Sequence, residues 1–165
     1  MHLWLDLRGQ ADAGWVTIAQ VELEAVKYEL ATEVLRSSGE LRLRVSGTSM
    51  LPALWFGDEL TIRRQPFDAV RPGHIVLVAR DGRLCAHRVV AAGNGLVITR
   101  GDALPNADPP AAPDEVLGAV VWVLRGSARL IPCSRVSLLA LLLRHSDLCR
   151  SLLLRLHALR TWLST

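Results

Sequence analysis

The sequence predicts a mainly β protein: a folded, barrel-like β-sheet domain with a helix before it and a leucine-rich helical segment after it. Three observations predict this fold. Residues 20–37 have helical periodicity, short runs of alternating apolar and polar residues fill residues 40–131, and turn-forming residues separate those runs. The chain has 165 residues, of which 50% are hydrophobic and 21% charged, and this composition excludes a disordered protein.

The first predicted element is the helix over residues 20–37. Its apolar residues recur at spacings of three and four, and Ser38-Gly39 is a plausible end. The recurring residues are Leu23, Val26, Leu30 and Val34. From Glu40 the period changes to two, which is typical of a half-buried strand over residues 41–45.

Short strands are then predicted in close succession. Asp81-Gly82, the GNG run at 93–95 and the RGS run at 125–127 are hairpin signals between them. The predicted strands are Glu59–Arg63, His74–Arg80, Arg83–Ala91, Leu96–Arg100, Val116–Arg125 and Ala128–Ile131. The long proline-rich loop at 102–114 interrupts the pattern and is either functional or a plain surface excursion.

Residues 134–163 are predicted to be helical, with leucines on one side and a polar stripe on the other. The stripe contains Arg144, Asp147, Ser151, Arg155 and Ala158. This helix could pack on the β-domain or on the first helix, lie in a membrane interface, or bind a partner. The sequence therefore divides into an N-terminal helical segment (1–40), a β-rich domain (41–131) and a C-terminal amphipathic segment (132–165).

Charge and composition exclude several classes of protein. The basic residues do not form a stripe, and one Tyr and two Phe offer little base stacking, so we expect no nucleic-acid partner. The three cysteines have no CxxC spacing, which argues against a zinc ribbon. Asp6, Arg8 and Asp12 come too early for a signal-peptide core, and no window has the roughly 18–20 apolar residues of a membrane span. We expect a cytoplasmic protein, peripheral at a membrane if its C-terminal segment binds one.

The run VSGTSMLPALWFGDEL, residues 45–60, presents a serine where a predicted strand ends. The strand ends at Ser46-Gly47, Ser49 lies on the following turn, and Pro52 stiffens the chain after it. Because glycine has no side chain, a substrate backbone could approach the serine closely. Such a turn alone is usually structural, so a catalytic serine needs a second signal.

A candidate base for this serine lies in the strand LCAHRVV, residues 84–90. A histidine in an apolar strand is more often structural than catalytic, but two carboxylates, Asp102 and Asp108, follow the next predicted strand. A carboxylate that fixes the tautomer of a histidine, which then deprotonates a serine, is the logic of a catalytic triad. Strands joined by the GNG turn could bring His87 close to Asp102.

Together, the runs SGTSMLPAL–GD, AHRVV and TRGDALPNAD resemble the signal peptidase I family and its relatives, among them the LexA-like self-cleaving repressors. The resemblance covers residues 41 to about 124, with the motifs in the family order. It implies the signal-peptidase/LexA-like β-sheet domain and a serine endopeptidase. Such an enzyme takes its peptide or protein substrate as an extended strand, with small side chains preferred just before the cut.

Members of this family use either lysine or histidine as the base, and the sequence favours histidine. Lys27 is the only lysine, and it lies upstream of the serine motif in the predicted helix. The resemblance therefore implies Ser49 as nucleophile, His87 as general base and Asp102 as the orienting carboxylate, with Asp108 second. No metal ion and no organic cofactor is implied.

For the oxyanion we expect the backbone N–H of Ser49, helped by the Thr48 hydroxyl, with Gly47 and Met50 as further oxyanion or substrate-binding positions. Two alternatives to a peptidase acting on other proteins stay open. The first is a non-catalytic peptide-binding or scaffold protein. The second is a LexA-like self-cleaving regulator, since Ala13-Gly14 is the kind of bond that such proteins cut in themselves. Against it, the first twelve residues cannot hold a DNA-binding domain and the lysine base is missing.

Overall fold

The computed structural model describes residues 18–80, 82–145, 151 and 155, and it has the mainly β fold that the sequence predicts. Seven strands form one antiparallel sheet, with a helix at either end of the described chain. In chain order the helices and strands are α1 (Ile18–Ser38), β1 (Glu40–Arg44), β2 (Glu59–Arg63), β3 (Ile75–Arg80), β4 (Arg83–Gly93), β5 (Leu96–Arg100), β6 (Val116–Arg125), β7 (Ala128–Leu130) and α2 (Leu138–His145). The candidate Ala13-Gly14 cleavage site lies outside the described residues.

The sheet has the strand order β1-β2-β6-β3-β4-β5, and β7 pairs with β6. β1 therefore lies at one edge of this order. β4 is long, and its two halves have different neighbours: all of Arg83–Arg88 pairs with β3, whereas β5 pairs only with residues from Arg88 onward. The first half of β4 and the outer side of β1 are thus strand edges without a partner strand among the described residues.

The strands agree with the predicted ones to within one or two residues at their ends, because their alternation and turn chemistry are local properties. The β4–β5 hairpin is an example. Asn94 and Gly95 both have positive φ angles, 52° and 73°, as a two-residue turn between twisted antiparallel strands requires.

The main core lies between α1, the sheet and the loop that follows β1. Leu60, Ile62, Ile75 and Leu77 form its sheet side, and Leu35 enters it from α1. The buried face of α1 differs from the predicted stripe: Ala31 and Leu35 are buried, whereas Val26 and Leu30 are exposed.

The C-terminal helix α2 packs on the β-domain through two buried residues, Ala140 and Leu143. Leu143 forms a small cluster with Leu51 and Ala103, and Trp55 packs against it. Leu138, Leu141 and Leu142, which belong to the predicted leucine side of this segment, are exposed. Of the predicted polar stripe, Arg144, Ser151 and Arg155 are helical, whereas Asp147 and Ala158 lie outside the described residues. Across the described residues, no helix combines the length and the apolar character that a membrane crossing needs.

We predict that Leu143→Ala lowers the free energy of unfolding by about 2–5 kcal/mol, because it leaves a cavity in a closed cluster. The matched control is Leu142→Ala, since Leu142 is 62% exposed and Leu143 is 2% exposed. Urea unfolding followed by circular dichroism measures both, and the control should change by less than about 0.5 kcal/mol. Equal, small effects of the two variants would mean that α2 does not belong to the core.

Candidate active site

The candidate nucleophile lies on a loop between β1 and β2, residues 46–57, which we call the nucleophile loop. The loop is closed at its base, where Val45 N donates to Asp58 O over 2.8 Å. The Asp58 side chain is buried, accepts a hydrogen bond from Trp55 N and forms a bidentate pair with Arg125. These contacts make Asp58 a structural residue of the loop.

Further contacts fix Ser49 within this loop. Its carbonyl oxygen accepts a hydrogen bond of 2.8 Å from Ala103 N, and the buried side chains of Met50 and Leu54 hold the loop on the core. Gly101 lies against the same carbonyl: a Cβ there would be 2.7 Å from Ser49 O. The serine backbone is therefore held by residues that follow β5, and only glycine allows that approach at position 101.

Ser49, His87 and Asp108 form a continuous hydrogen-bonded chain. Ser49 Oγ is 3.0 Å from His87 Nε2, and His87 Nδ1 is 2.7 Å from Asp108 Oδ2. The histidine is 8% exposed, so water does not compete strongly for either nitrogen. An ionised carboxylate can only accept, so Nδ1 carries the proton and donates it to Asp108, which leaves Nε2 to accept from the serine hydroxyl.

Asp108 is held ionised by the groups around it. Burial opposes its ionisation, but the hydrogen bonds from His87 and from Thr99 Oγ1, the latter 2.6 Å long, outweigh burial and lower the pKa of Asp108. Asp108 N also donates to Thr99 O over 2.8 Å. Thr99 thus fixes both the backbone and the carboxylate of Asp108.

Asp102 does not orient His87, and the structure corrects that assignment. Its carboxylate forms a bidentate ion pair with Arg88, with N–O distances of 2.8 and 2.7 Å. The two side chains are 2% and 3% exposed. His87 and Arg88 are consecutive in β4 and therefore point to opposite faces of the strand, so each takes a different aspartate.

The loop that carries Asp108 is tied to β3 by Arg80. This guanidinium donates to the carbonyl oxygens of Pro109 and Pro110 over 3.0 and 2.7 Å, and it pairs with Glu115 at 2.6 Å. The hydrogen bonds from Arg80 and then from Ala112 N lower the pKa of Glu115 to about 2. Arg80 thereby fixes the two residues that directly follow Asp108.

The other predicted site positions also surround Ser49. Gly47 is exposed, with no atom within 4 Å of where a Cβ would stand, and Thr48 is half-buried. Met50 is buried, so its side chain supports the loop and borders the adjacent cavity rather than projecting outward. Among the described residues, no backbone acceptor engages the N–H of Ser49 or of Met50.

Cys85 lies two residues before His87 on the same strand and borders the same cavity. Partial burial and then the Asp108 carboxylate raise the pKa of its thiol. The thiol therefore stays protonated at neutral pH and is a weaker nucleophile than its thiolate would be.

The family model for peptidase S24-like proteins matches residues 6–109, which include α1, the nucleophile loop, His87 and Asp108. The chain belongs to the peptidase S24-like family. This finding agrees with the resemblance to LexA-like proteins and signal peptidases. No curated protein is similar enough to this S24-like chain to count as a match.

Sequence reasoning missed three residues that build this S24-like site: Arg80, Arg88 and Thr99. Arg88 had a usable signal, because an arginine in the middle of an apolar strand is buried and a buried guanidinium needs a carboxylate. The consecutive His87 and Arg88 then require two acceptors on opposite faces. Arg80 and Thr99 had no such signal, since their contacts depend on the path of the loop at 102–114.

We predict that Asp102→Asn destabilises the fold by about 3–5 kcal/mol, because it leaves the Arg88 charge buried without its partner. Asp108→Asn is the matched variant and should lower the free energy of unfolding by less. Asp108 is partly exposed, and its partners are polar rather than permanently charged. Denaturant unfolding at neutral pH compares the two. A larger loss for Asp108→Asn than for Asp102→Asn would contradict the assignment of Asp102 as the structural carboxylate.

The Arg80–Glu115 pair predicts an acid-sensitive contribution to stability. The pKa of Glu115 falls from 4.5 to about 2 on folding, so its contribution is fully present above pH 4.5 and is lost as the pH falls toward 2. Glu115→Gln should lower the urea midpoint at neutral pH and reduce the change in that midpoint between pH 4.5 and 2. An unchanged pH dependence in Glu115→Gln would show that other carboxylates account for it.

Proposed function

We propose that this chain is a serine endopeptidase in which Ser49 is the nucleophile, His87 the general base and Asp108 the carboxylate that orients the histidine. The hydrogen-bonded chain of these three side chains carries the proposal, since both links are short enough to pass a proton. The S24-like family agrees with this chemistry at the level of the fold and reaction class.

In this mechanism Ser49 Oγ attacks the peptide carbonyl carbon while its proton moves to His87 Nε2. The imidazolium is stabilised by Asp108, and the backbone N–H of Ser49 with the Thr48 hydroxyl would donate to the oxyanion. The tetrahedral intermediate collapses as His87 gives its proton to the leaving amine, which breaks the C–N bond. Water then attacks the acyl-enzyme carbonyl carbon while His87 accepts a proton from it. His87 returns this proton to Ser49 Oγ as the ester bond from Oγ to the acyl carbon breaks, which frees the serine hydroxyl and the new carboxylic acid.

The substrate would bind as an extended strand between two strand edges. Residues 41–45, on and after β1, and residues 84–87 of β4 border one cavity, and Ser49 and His87 lie on its wall. Neither edge has a partner strand among the described residues, so a peptide could add to the sheet there through its backbone groups. This binding mode presents the peptide backbone, rather than one side chain, to Ser49.

The cellular role that fits this proposal is peptide or protein maturation, including the processing of signal peptides, with the enzyme cytoplasmic or peripheral at a membrane. In the described part of the C-terminal segment, a peripheral location is supported by the exposed leucines of α2, which are Leu138, Leu139, Leu141 and Leu142. Of the arginines expected to face anionic lipids, Arg155 is helical and exposed, Arg150 lies outside the described residues, and the side chain of Arg144 is not described. Membrane contact therefore stays a prediction.

We predict that Ser49→Ala and His87→Ala each lower cleavage of unfolded β-casein by at least about a thousandfold, as loss of a triad member does. Ser127→Ala, on the exposed β6–β7 turn, is the matched serine control and should keep full activity. Lys27→Ala should also keep it, because the proposed base is His87. Cleavage is followed by mass spectrometry of the products.

Two outcomes would overturn this assignment. The first is full cleavage by Ser49→Ala, or loss of cleavage in Lys27→Ala with retention in His87→Ala. The second is binding of casein peptides by wild type and Ser49→Ala alike with no cleavage by either, which would indicate a non-catalytic peptide-binding protein.

A further inference from the structure

The cavity beside Ser49 and His87 has a volume of about 610 Å³. Apolar side chains from four parts of the chain border it. They include Leu30 and Val34 of α1, Leu41 and Leu43 of β1, Met50 and Leu54 of the nucleophile loop, and Leu84 and Ala86 of β4. A cavity of this size is in the range of roughly 300–1,000 Å³ in which proteins enclose a small organic ligand.

The cavity extends from the reactive groups into the core. Its wall includes Leu54, Leu60 and Leu77, each at most 3% exposed, whereas Ser49 and His87 lie on the same wall as the free edges of β1 and β4. An extended peptide between those edges would direct alternate side chains toward this interior. A methyl group would leave most of such a space unfilled, whereas a branched or aromatic side chain would make apolar contact with its wall.

We propose that this cavity is a specificity pocket for a bulky apolar side chain, leucine or larger, within the stretch of substrate bound next to the scissile bond. The inference rests on the proposed peptidase function and deepens it by naming the substrate class. It differs from the small side chains that the resemblance implies. It also gives α1 a role in recognition, because Leu30, Ala31 and Val34 complete the pocket wall.

The pocket is tested with decapeptides of an alanine–serine host that carry one leucine, moved one position at a time, beside the leucine-free host. Wild type should cleave at least one leucine peptide about tenfold faster, in kcat/KM, than the host. Ser49→Ala keeps the pocket. Fluorescence anisotropy should show that it binds the same leucine peptide about tenfold more tightly than it binds the leucine-free host. The binding arm reports on the pocket whether or not cleavage occurs.

A matched pair of variants locates the effect. Ala86→Phe fills the pocket, whereas Ala91→Phe adds the same side chain to an exposed position of the same strand. Ala86→Phe in the Ser49→Ala background should abolish the tenfold preference for leucine, and Ala91→Phe should keep it. If circular dichroism shows that Ala86→Phe does not fold, Leu84→Ala is the alternative variant. It enlarges the pocket and should shift the binding preference from leucine toward tryptophan.

The outcomes separate the pocket from the peptidase. If Ser49-dependent cleavage proceeds at equal rates for the host and for all leucine peptides, the specificity pocket is wrong and the proposed peptidase function is still supported. Leucine-selective binding without cleavage by wild type would support the pocket and overturn the peptidase. Equal effects of Ala86→Phe and Ala91→Phe would overturn the location of the pocket.

Discussion

The buried guanidinium of Arg88 is the constraint on which the arrangement of the site depends. A charge that is 2% exposed costs free energy unless every side of it is paired, and β4 places this one inside the sheet domain. Asp102 takes two of its N–H groups, and the carbonyl oxygens of Gly73 and Cys133 accept from Nη1 over 2.9 and 2.6 Å. One side chain therefore fixes three separate stretches of chain relative to β4.

This pairing affects the position of Ser49 through the residues that flank Asp102. Gly101 and Ala103 both contact the carbonyl oxygen of Ser49, the first by close packing and the second by a hydrogen bond. The carboxylate that pairs with Arg88 thus sets the position of the serine backbone, although it never contacts the histidine. On the opposite face of β4, His87 meets Ser49 Oγ. Structural and reactive contacts of the site are separated by the alternation of a single strand.

The sequence was sufficient to predict the strands and the proximity of Ser49 and His87. It was not sufficient to predict which of the two aspartates contacts His87. Strand limits depend on alternation and turn chemistry, which are local. The choice between Asp102 and Asp108 depends on how the loop at 102–114 returns to β5, where Asp108 N bonds Thr99 O. No periodicity encodes that return. Strand parity alone does show that His87 and Arg88 need acceptors on opposite faces, which excludes a shared aspartate.

Helix α1 shows a second limit of prediction from local sequence patterns. Periodicity marks the apolar residues of a helix but not which of them the core will cover. In α1 the core covers Ala31 and Leu35, and Leu30 is left exposed at the wall of the cavity beside the site. Under the proposed function, Leu30 would give α1 a second role beside core packing, as part of the wall that a substrate side chain contacts.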